Sequence, residues 1–286
     1  MSVTDNKMAP NAGTIRKILS LSVDPVAGAA DLITRITQIP HPFLVEGVSC
    51  FCSAVTDVVE STAAVVRPGD TIQAVTLAIG TTHTKFAISA AFDAVMPTRS
   101  ATGSIPAVVH KAIADDIIFS SAFTITATVA AKRWGAVRIQ MDGAGAVSTK
   151  VVSANQLYVE ELAALVACPA PDAGYLDLGT ISMRAAVGKT FTARTTHLDD
   201  AVTVDLVNYN GAVSMATPVL TAFVEFADAQ FVLGDLEPGI YARSCSQAGG
   251  LIVLIQSATA ATGVVLDGCV DIHYRVWPVD GEVAVL

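Results

Sequence analysis

The sequence predicts an all-β protein: an antiparallel β-sandwich with a short helical N-terminal arm. From Val45 onward the chain consists of short runs rich in Val, Ile, Thr and Phe, bounded by Gly, Pro, Asp and Asn, which is the pattern of strands and turns. Before residue 40, apolar residues recur at helical spacing instead. We therefore divide the chain into an N-terminal arm, residues 1–40, and a β-sandwich domain, residues 41–286.

The helices of the arm are predicted from two local patterns. Ile15, Ile18 and Leu19 have the spacing of one helix face. Asp24-Pro25 is a favourable helix start, because Asp caps a helix N-terminus and Pro is tolerated at the first helical position. Pro40-His41-Pro42 then ends the arm, since proline interrupts helices and restricts the residue before it.

Strands are expected along the whole sandwich domain. They are predicted near residues 45–56, 71–79, 85–92, 117–131, 134–141, 146–153, 157–166, 178–187, 190–196, 201–208, 219–226, 230–233, 239–244, 250–257 and 264–277. Asp142-Gly143-Ala144-Gly145 and Asn210-Gly211 are predicted hairpin turns, because both contain residues that tolerate positive φ. Residues 107–116 are predicted as a helix, although a buried loop would give a similar pattern. One candidate subdivision of the domain lies near residues 169–171, at Pro169-Ala170-Pro171.

Composition indicates a surface that is partly covered. Apolar residues make up 52% of the chain and charged residues only 15%, against about 25% in a typical soluble domain. Large uncharged patches in water promote association, so a membrane or partner chains must cover part of the exterior. The longest uncharged stretches, residues 206–224 and 244–266, are interrupted by Gly and polar residues, which argues against a membrane span. The cover is therefore expected to be other protein chains.

Cysteine usage and net charge bear on compartment and partners. The five cysteines are an odd number, and residues 1–13 lack the apolar segment of a signal peptide. We therefore expect reduced, buried thiols and synthesis in a cytosol. The net charge is −9 and residues 1–40 contain no basic run, so strong neutralisation of nucleic-acid phosphates is not expected.

The sequence contains no recognisable catalytic constellation. The G-x-S-x-G elbow and the glycine-rich nucleotide-binding turns are absent. The five histidines are scattered, with no H-x-H, H-E-x-x-H or His–Cys cluster at zinc spacing. We therefore predict that the protein is not an enzyme and has no catalytic or cofactor-binding residues. An enzyme whose site is assembled from distant residues stays an alternative.

Two acidic pairs are candidate cation sites. Asp115-Asp116 and Asp199-Asp200 lie beside predicted strands, and clustered carboxylates supply the oxygen ligands that Ca²⁺ takes. Exposed loop charges are the simpler interpretation. If the chain assembles, such pairs facing each other across an interface would repel, and Ca²⁺ or low pH would relieve the repulsion. Asp115, Asp116, Asp199 and Asp200 are therefore candidate metal ligands at subunit interfaces.

The last quarter of the chain carries a resemblance to a known family. In the final predicted strand, four apolar residues alternate with polar ones: Val270, Ile272, Tyr274 and Val276. The segments LEPGIY, from Leu236, and GLIVLI, from Gly250, supply antiparallel neighbours for it. This ending, over residues 236–278, resembles the last strands of the eight-stranded jelly roll in coat proteins of small icosahedral viruses.

The resemblance implies a structural function. Coat proteins of this kind assemble with copies of themselves into an icosahedral shell around a viral genome, with an N-terminal arm between neighbours. It implies a virion protein made in the host cytoplasm, with no membrane partner. The chain departs from many such proteins in lacking an Arg/Lys-rich arm, which implies only weak or indirect contact with viral nucleic acid. The alternative is a secreted or surface β-sandwich adhesin or fibre module, which would need an export signal.

Overall fold

The structure is a computed structural model, and it describes most of the chain. The described residues are 15–23, 32–38, 43–54, 59–99, 106–129, 131–215, 217–224, 230–233, 244–245, 250–258 and 266–276. Within them the chain forms β-strands and one short helix, α1 (Glu161–Ala167). The prediction of an all-β protein is confirmed. No helix in these ranges is long and apolar enough to cross a membrane.

The strands are numbered in chain order. They are β1 (Ile15–Val23), β2 (Leu32–Gln38), β3 (Phe43–Ala54), β4 (Val59–Val66), β5 (Leu77–Ile79), β6 (Phe86–Ile88), β7 (Phe92–Arg99), β8 (Pro106–Lys111), β9 (Ala114–Ile117), β10 (Thr124–Thr126), β11 (Arg133–Met141), β12 (Val147–Lys150), β13 (Asn155–Gln156), β14 (Leu176–Ala185), β15 (Thr190–Thr192), β16 (Val204–Gly211), β17 (Thr217–Val224), β18 (Gln230–Leu233), β19 (Ser244–Cys245), β20 (Leu251–Ala258) and β21 (Leu266–Val276).

The chain divides into two compact units. The first unit contains residues 1–68, 102–105 and 216–286, and the second contains residues 69–101 and 106–215. Apart from the short segment 102–105, the second unit is thus an insertion between β4 and β17. Val65 of β4 and Thr217 of β17 are partners in one antiparallel pair. The chain therefore leaves the first unit and returns to it at neighbouring positions.

Among its described residues, the first unit contains two antiparallel sheets with a nested pairing order. One sheet has the order β1-β21-β3-β18, with the two-residue strand β19 also on β3, and the other has the order β17-β4-β20-β2. Leaving β19 aside, the first strand pairs with the eighth (β1 with β21), and the second with the seventh (β2 with β20). The third pairs with the sixth (β3 with β18), and the fourth with the fifth (β4 with β17). Pairing of β3 with β21 and of β4 with β20 joins these pairs into the two sheets.

One aromatic contact anchors the first of these sheets. Phe43, at the start of β3, is fully buried, and its ring meets that of Tyr274 on β21 edge-on at 6.3 Å. Burial raises the pKa of the Tyr274 hydroxyl. The contact joins residues from opposite ends of the chain, so it depends on the long-range pairing of β3 with β21.

The predicted helices of the N-terminal arm are wrong where the structure describes this part of the chain. Residues 15–23 form β1 and residues 32–38 form β2, while Asp24-Pro25 lies outside the described residues. The run LSLSV, from Leu19 to Val23, also alternates apolar and polar residues, which suits a strand. Partners on β21 and β20, invisible in the local sequence, decide between the two patterns.

Two further local predictions are corrected. Residues 107–116, predicted as a helix, fall on β8 and β9, and part of the predicted strand 157–166 forms α1. Leu and Ala, which dominate ELAALVA, are strong helix formers, so local propensity prevails there. Short apolar runs fit either element, and in residues 107–116 pairing with β7 and β6 selects strands.

Of the two predicted hairpins, one is confirmed and one is wrong. Asp142–Gly145 connects β11 to β12: the Asp142 amide donates to the Ala146 carbonyl at 3.0 Å, and Gly145 has φ +82°. Asn210 and Gly211 are instead the last two residues of β16 and pair with β14, where Gly211 is opposite Gly179. A Cβ on Gly179, which has φ +113°, would lie 2.2 Å from the Asn210 carbonyl oxygen, so glycine here permits close strand approach.

The second unit is organised around β11. Its main sheet has the order β12-β11-β14-β16. Val137, Ile139 and Met141 of β11 belong to the main core of this unit. Trp134 and Ala136 lie in a smaller cluster with Ala164 of α1 and Cys168. Successive residues of a strand alternate between its faces, so β11 is covered on both.

A series of phenylalanine rings fills the main core of the second unit. Phe86 lies 5.4 Å from Phe119, Phe119 lies 5.7 Å from Phe123, and Phe123 lies 5.8 Å from Phe191, measured between ring centroids. All four side chains are at most 1% exposed. Aromatic rings of this size bury large apolar areas, so these contacts join β6 and β15, strands of two smaller sheets, through the loop residues Phe119 and Phe123.

The segment at Pro169-Ala170-Pro171 lies within the second unit. Arg138 of β11 donates from Nε to the Pro169 carbonyl at 2.9 Å, and Lys150 of β12 donates to the Ala170 carbonyl at 2.9 Å. Lys150 also pairs with Asp172 at 2.7 Å. These contacts fix the segment along the main sheet. Next to it, Cys168 is a free, buried thiol whose pKa is raised by burial; side chains of the other cysteines are not among those described.

Candidate metal centre

Two loops of the second unit form the candidate site. Residues 80–85 join β5 to β6, and residues 193–203 join β15 to β16. Each loop carries one histidine, and the ring centroids of His83 and His197 are 5.8 Å apart. The amide of Leu198 donates to the carbonyl of His83 at 2.8 Å. The two loops are therefore tied together at the histidines.

Asp199 completes the cluster. Its carboxylate lies 2.7 Å from Nδ1 of His83, which can donate a hydrogen bond to it. Leu198, between His197 and Asp199, is 3% exposed and belongs to the main core. Because this buried side chain anchors the loop, the two polar residues beside it are held at the surface.

The three side chains converge on one open pocket. One ligand atom from each of His83, His197 and Asp199 lies within 4.8 Å of the others, and all three residues are exposed. Thr195, Thr196, Asp200 and Thr203 also line the pocket. Across the described part of the chain, this is the group in which at least three His, Cys, Asp or Glu side chains could share one ion.

Asp115 and Asp116 hold the loop that carries His83. Asp115 accepts hydrogen bonds from the amide of Thr81, at 3.0 Å, and from its hydroxyl. Asp116 accepts from the amide of Thr82, at 2.6 Å, and from its hydroxyl, and pairs with Lys85 at 3.3 Å. The threonine hydroxyls are the main cause of the lowered pKa of each carboxyl group. An ion at either carboxylate would compete with these hydrogen bonds.

Gly80 leaves room for these carboxylates. A Cβ at this position would lie 2.9 Å from Oδ1 of Asp116 and 3.2 Å from Oδ1 of Asp115. Both distances are shorter than ordinary van der Waals contact, so a larger residue would displace these carboxylates from their positions against the loop. The position of His83 thus depends on a glycine and two aspartates that do not belong to the cluster.

Asp200 forms hydrogen bonds within the second loop. Its carboxylate accepts a hydrogen bond from the amide of Val202 at 3.0 Å, and the hydroxyl of Thr203 is the main cause of its lowered pKa. On the neighbouring strand β16, burial and then the charge of Asp199 raise the pKa of Tyr209 to about 12. Tyr209 therefore stays a neutral phenol beside the site at physiological pH.

The structure brings together one of the four predicted aspartates with two histidines. Asp199 lies in the cluster, whereas the described metal-ligating group does not include Asp115, Asp116 or Asp200. Binding of cations by these aspartates between subunits concerns contacts between chains and stays a prediction. The sequence predictions did not include His83 or His197 among the ligands. His197 lies two residues before Asp199 in the run His197-Leu198-Asp199-Asp200, and this spacing could have indicated it. No spacing links His83 to them, because it lies on another loop far away in the chain.

Comparison with known proteins gives no assignment. No family model, no curated protein and no solved structure matches this chain.

The donor set defines what the cluster can do chemically. Two imidazole nitrogens and a carboxylate oxygen suit transition metals such as Zn²⁺, Cu²⁺ or Ni²⁺, whereas Ca²⁺ and Mg²⁺ prefer an all-oxygen shell. Three protein ligands leave one or more positions on such an ion for water or a further group.

Proposed function

We propose that this chain is a structural coat subunit that assembles with copies of itself into an icosahedral shell around a viral genome. The observation that carries the proposal is the nested strand pairing of the first unit. Counted in chain order and without β19, the first described strand of this unit pairs with the eighth, the second with the seventh, the third with the sixth and the fourth with the fifth. The two sheets have the orders β1-β21-β3-β18 and β17-β4-β20-β2. We infer that the eight described strands of this unit, leaving β19 aside, wrap as a jelly roll, a long hairpin rolled into two sheets.

This wrapping occurs in viral capsid domains, in lectins and in cupins, so fold alone does not select among them. Metal-dependent cupins carry their ligands on the strands of the barrel, and the sequence lacks the His-x-His pattern that they use. The described histidine cluster lies instead on loops of the inserted unit. Both observations argue against a metal-dependent cupin, and they are compatible with the proposed structural role.

Exposed apolar side chains on the second unit support assembly. Leu162 and Val166, one helical turn apart on α1, are 68% and 77% exposed, and Val159 just before the helix is 70% exposed. Together with the low share of charged residues, 15%, these side chains favour a surface that partners cover. The proposed partners are copies of this chain.

The proposal also covers how the chain contacts the viral genome and where the protein is located. The net charge of −9 and the absence of a basic run in residues 1–40 favour weak or indirect contact with viral nucleic acid. The proposed location is the virion, after synthesis in the host cytoplasm. Residues 15–23 and 32–38 pair within the sheets of the first unit, so an arm between neighbouring subunits would be limited to other segments.

Sedimentation velocity on the purified full-length chain tests the proposal, followed by negative-stain images of the fastest component. Uniform closed particles of tens to hundreds of subunits are expected. The variant Phe43→Asp is a negative control. It places a charge at a fully buried position, so the first unit should not fold and particles should be lost. A folded wild-type chain that stays monomeric at high concentration would refute obligate assembly, and binding of that monomer to cell-surface glycans would favour an adhesin.

A further inference from the structure

We propose that His83, His197 and Asp199 bind a transition-metal ion of the zinc class. The inference concerns the second unit alone and stands apart from assembly. The side chains of His83, His197 and Asp199, from two loops, each place one nitrogen or oxygen ligand atom within 4.8 Å of the others. The backbone hydrogen bond from the Leu198 amide to the His83 carbonyl holds the two loops close enough for this convergence.

The distances suit a small ion after modest adjustment. Ligand atoms at about 2.0–2.1 Å from a tetrahedral zinc ion lie about 3.3 Å from one another. Nδ1 of His83 and the Asp199 oxygen are now 2.7 Å apart, and the widest separation in the group is within 4.8 Å. Exposed side chains close such a gap by rotation about their χ angles, without movement of the backbone.

The His83–Asp199 hydrogen bond would be exchanged for bonds to the ion. Nδ1 of His83 and the Asp199 oxygen lie 2.7 Å apart, so an ion that replaces the shared proton can bind both atoms after a small outward movement of the carboxylate. Metal ligands must be deprotonated, so the shared proton leaves to solvent when the ion binds. Two of the three ligands are therefore adjacent before an ion arrives.

The backbone beneath the ligands is fixed before an ion arrives. Asp115 and Asp116 hold the loop of His83 through Thr81 and Thr82. Burial of Leu198, and its amide bond to the His83 carbonyl, holds the second loop against the first. A preorganised backbone lowers the entropic cost of gathering the ligands.

The chain offers a matched control for the histidines. His110 is exposed and its Nδ1 lies 3.2 Å from an oxygen of Asp93, so it reproduces the His–Asp pair. It does not belong to the described three-ligand group. Replacing His110 removes an exposed histidine of the same kind without touching the proposed site.

The experiment is a titration of the full-length protein with Zn²⁺, and separately with Ca²⁺, by isothermal calorimetry after treatment with a chelator. One Zn²⁺ per chain is expected. His83→Ala and His197→Ala should each weaken binding at least tenfold, whereas His110→Ala should leave the affinity unchanged. Circular dichroism spectra would verify that all three variants are folded.

Three results would overturn the proposal. Equal Zn²⁺ affinity in the wild-type protein, His83→Ala and His197→Ala would place binding elsewhere. An equal loss in His110→Ala would indicate nonspecific binding by surface histidines. Binding of Ca²⁺ with the same dependence on His83 and His197 would contradict the assignment to a transition metal. Conversely, Zn²⁺-dependent shifts of the ring signals of His83 and His197 alone, measured by NMR, would support it.

Discussion

The two units of this chain form their sheets from opposite kinds of contact. In the first unit, pairs join the ends of the chain: Ile15 is opposite Tyr274, and Leu32 is opposite Gln256. In the second unit many pairs are local, as between β5 and β6 or between β11 and β12. The first unit therefore needs both ends of the chain before its sheets can close, whereas one nearly continuous segment supplies the second.

This difference explains how a large insertion is tolerated. The entropic cost of closing a loop grows only slowly with its length. The insertion begins and ends beside one antiparallel pair, at Val65 and Thr217, and it has a core of its own. A folded insertion whose ends lie close together costs the first unit little more than a hairpin loop. Local pairing should also let the second unit fold sooner.

Removal of residues 1–38 should produce the largest difference in stability between the two units. It eliminates β1 and β2, which leaves β21 and β20 each without one neighbour. We expect the first unit to lose its cooperative fold while the second unit keeps its core. Hydrogen exchange with mass spectrometry would show rapid exchange in β3, β4, β20 and β21 and continued protection in β11 and β14.

The control is removal of residues 1–12, which leaves both paired strands in place. Protection in the first unit should then persist. Loss of protection in β11 after removal of residues 1–38 would show that the second unit depends on the first, and the comparison would fail.

Truncation of one buried phenylalanine in each unit should destabilise that unit and leave the other unchanged, with a smaller effect than removal of residues 1–38. Phe123 is 1% exposed between Phe119 and Phe191, so Phe123→Ala leaves a cavity that costs about 3–5 kcal/mol in the second unit. Phe43→Ala should cost a similar amount in the first unit, because Phe43 is fully buried. Denaturant titration followed by hydrogen exchange would assign each loss to one unit.

Leu162→Ala serves as the control, because Leu162 is 68% exposed and its truncation should change stability by less than about 0.5 kcal/mol. If both phenylalanine variants lowered the stability of both units equally, the chain would unfold as one cooperative body.

The smallest expected effect is an acid response of the His83 loop. The pKa values of Asp115 and Asp116 are lowered in the folded protein, mainly by the hydroxyls of Thr81 and Thr82. A carboxyl whose folded pKa lies below the ordinary 3.8 stabilises the fold above that pH, and the contribution is lost as the pH falls through the folded value. Amides of residues 80–85 should therefore lose protection below about pH 4.

The double variant Asp115→Asn, Asp116→Asn should show little of this acid response. Hydrogen exchange of the loop, measured at several pH values and corrected for the intrinsic pH dependence of exchange, would make the comparison. An unchanged acid response in the variant would assign the effect to other carboxyl groups.

Local patterns located strands well where a turn or an apolar run was strong. The predicted strands 134–141, 230–233 and 250–257 agree closely with β11, β18 and β20. Predictions failed where one short run fits two structures. Residues 15–23 can be read with helical or alternating spacing, and the partner strand β21 decides. Asn210-Gly211 has the composition of a turn but continues β16 because β14 lies beside it.

By itself, the sequence determined the all-β class, the Asp142–Gly145 turn and the low share of charged residues, because these follow from residue type, local φ preference and composition. Only the tertiary structure decided the nested pairing of the first unit, the insertion of the second, and the meeting of His83, His197 and Asp199. The reason is physical. Strand partners and site ligands are selected by contacts between residues far apart in the chain, and such contacts leave no periodic signal in the local sequence.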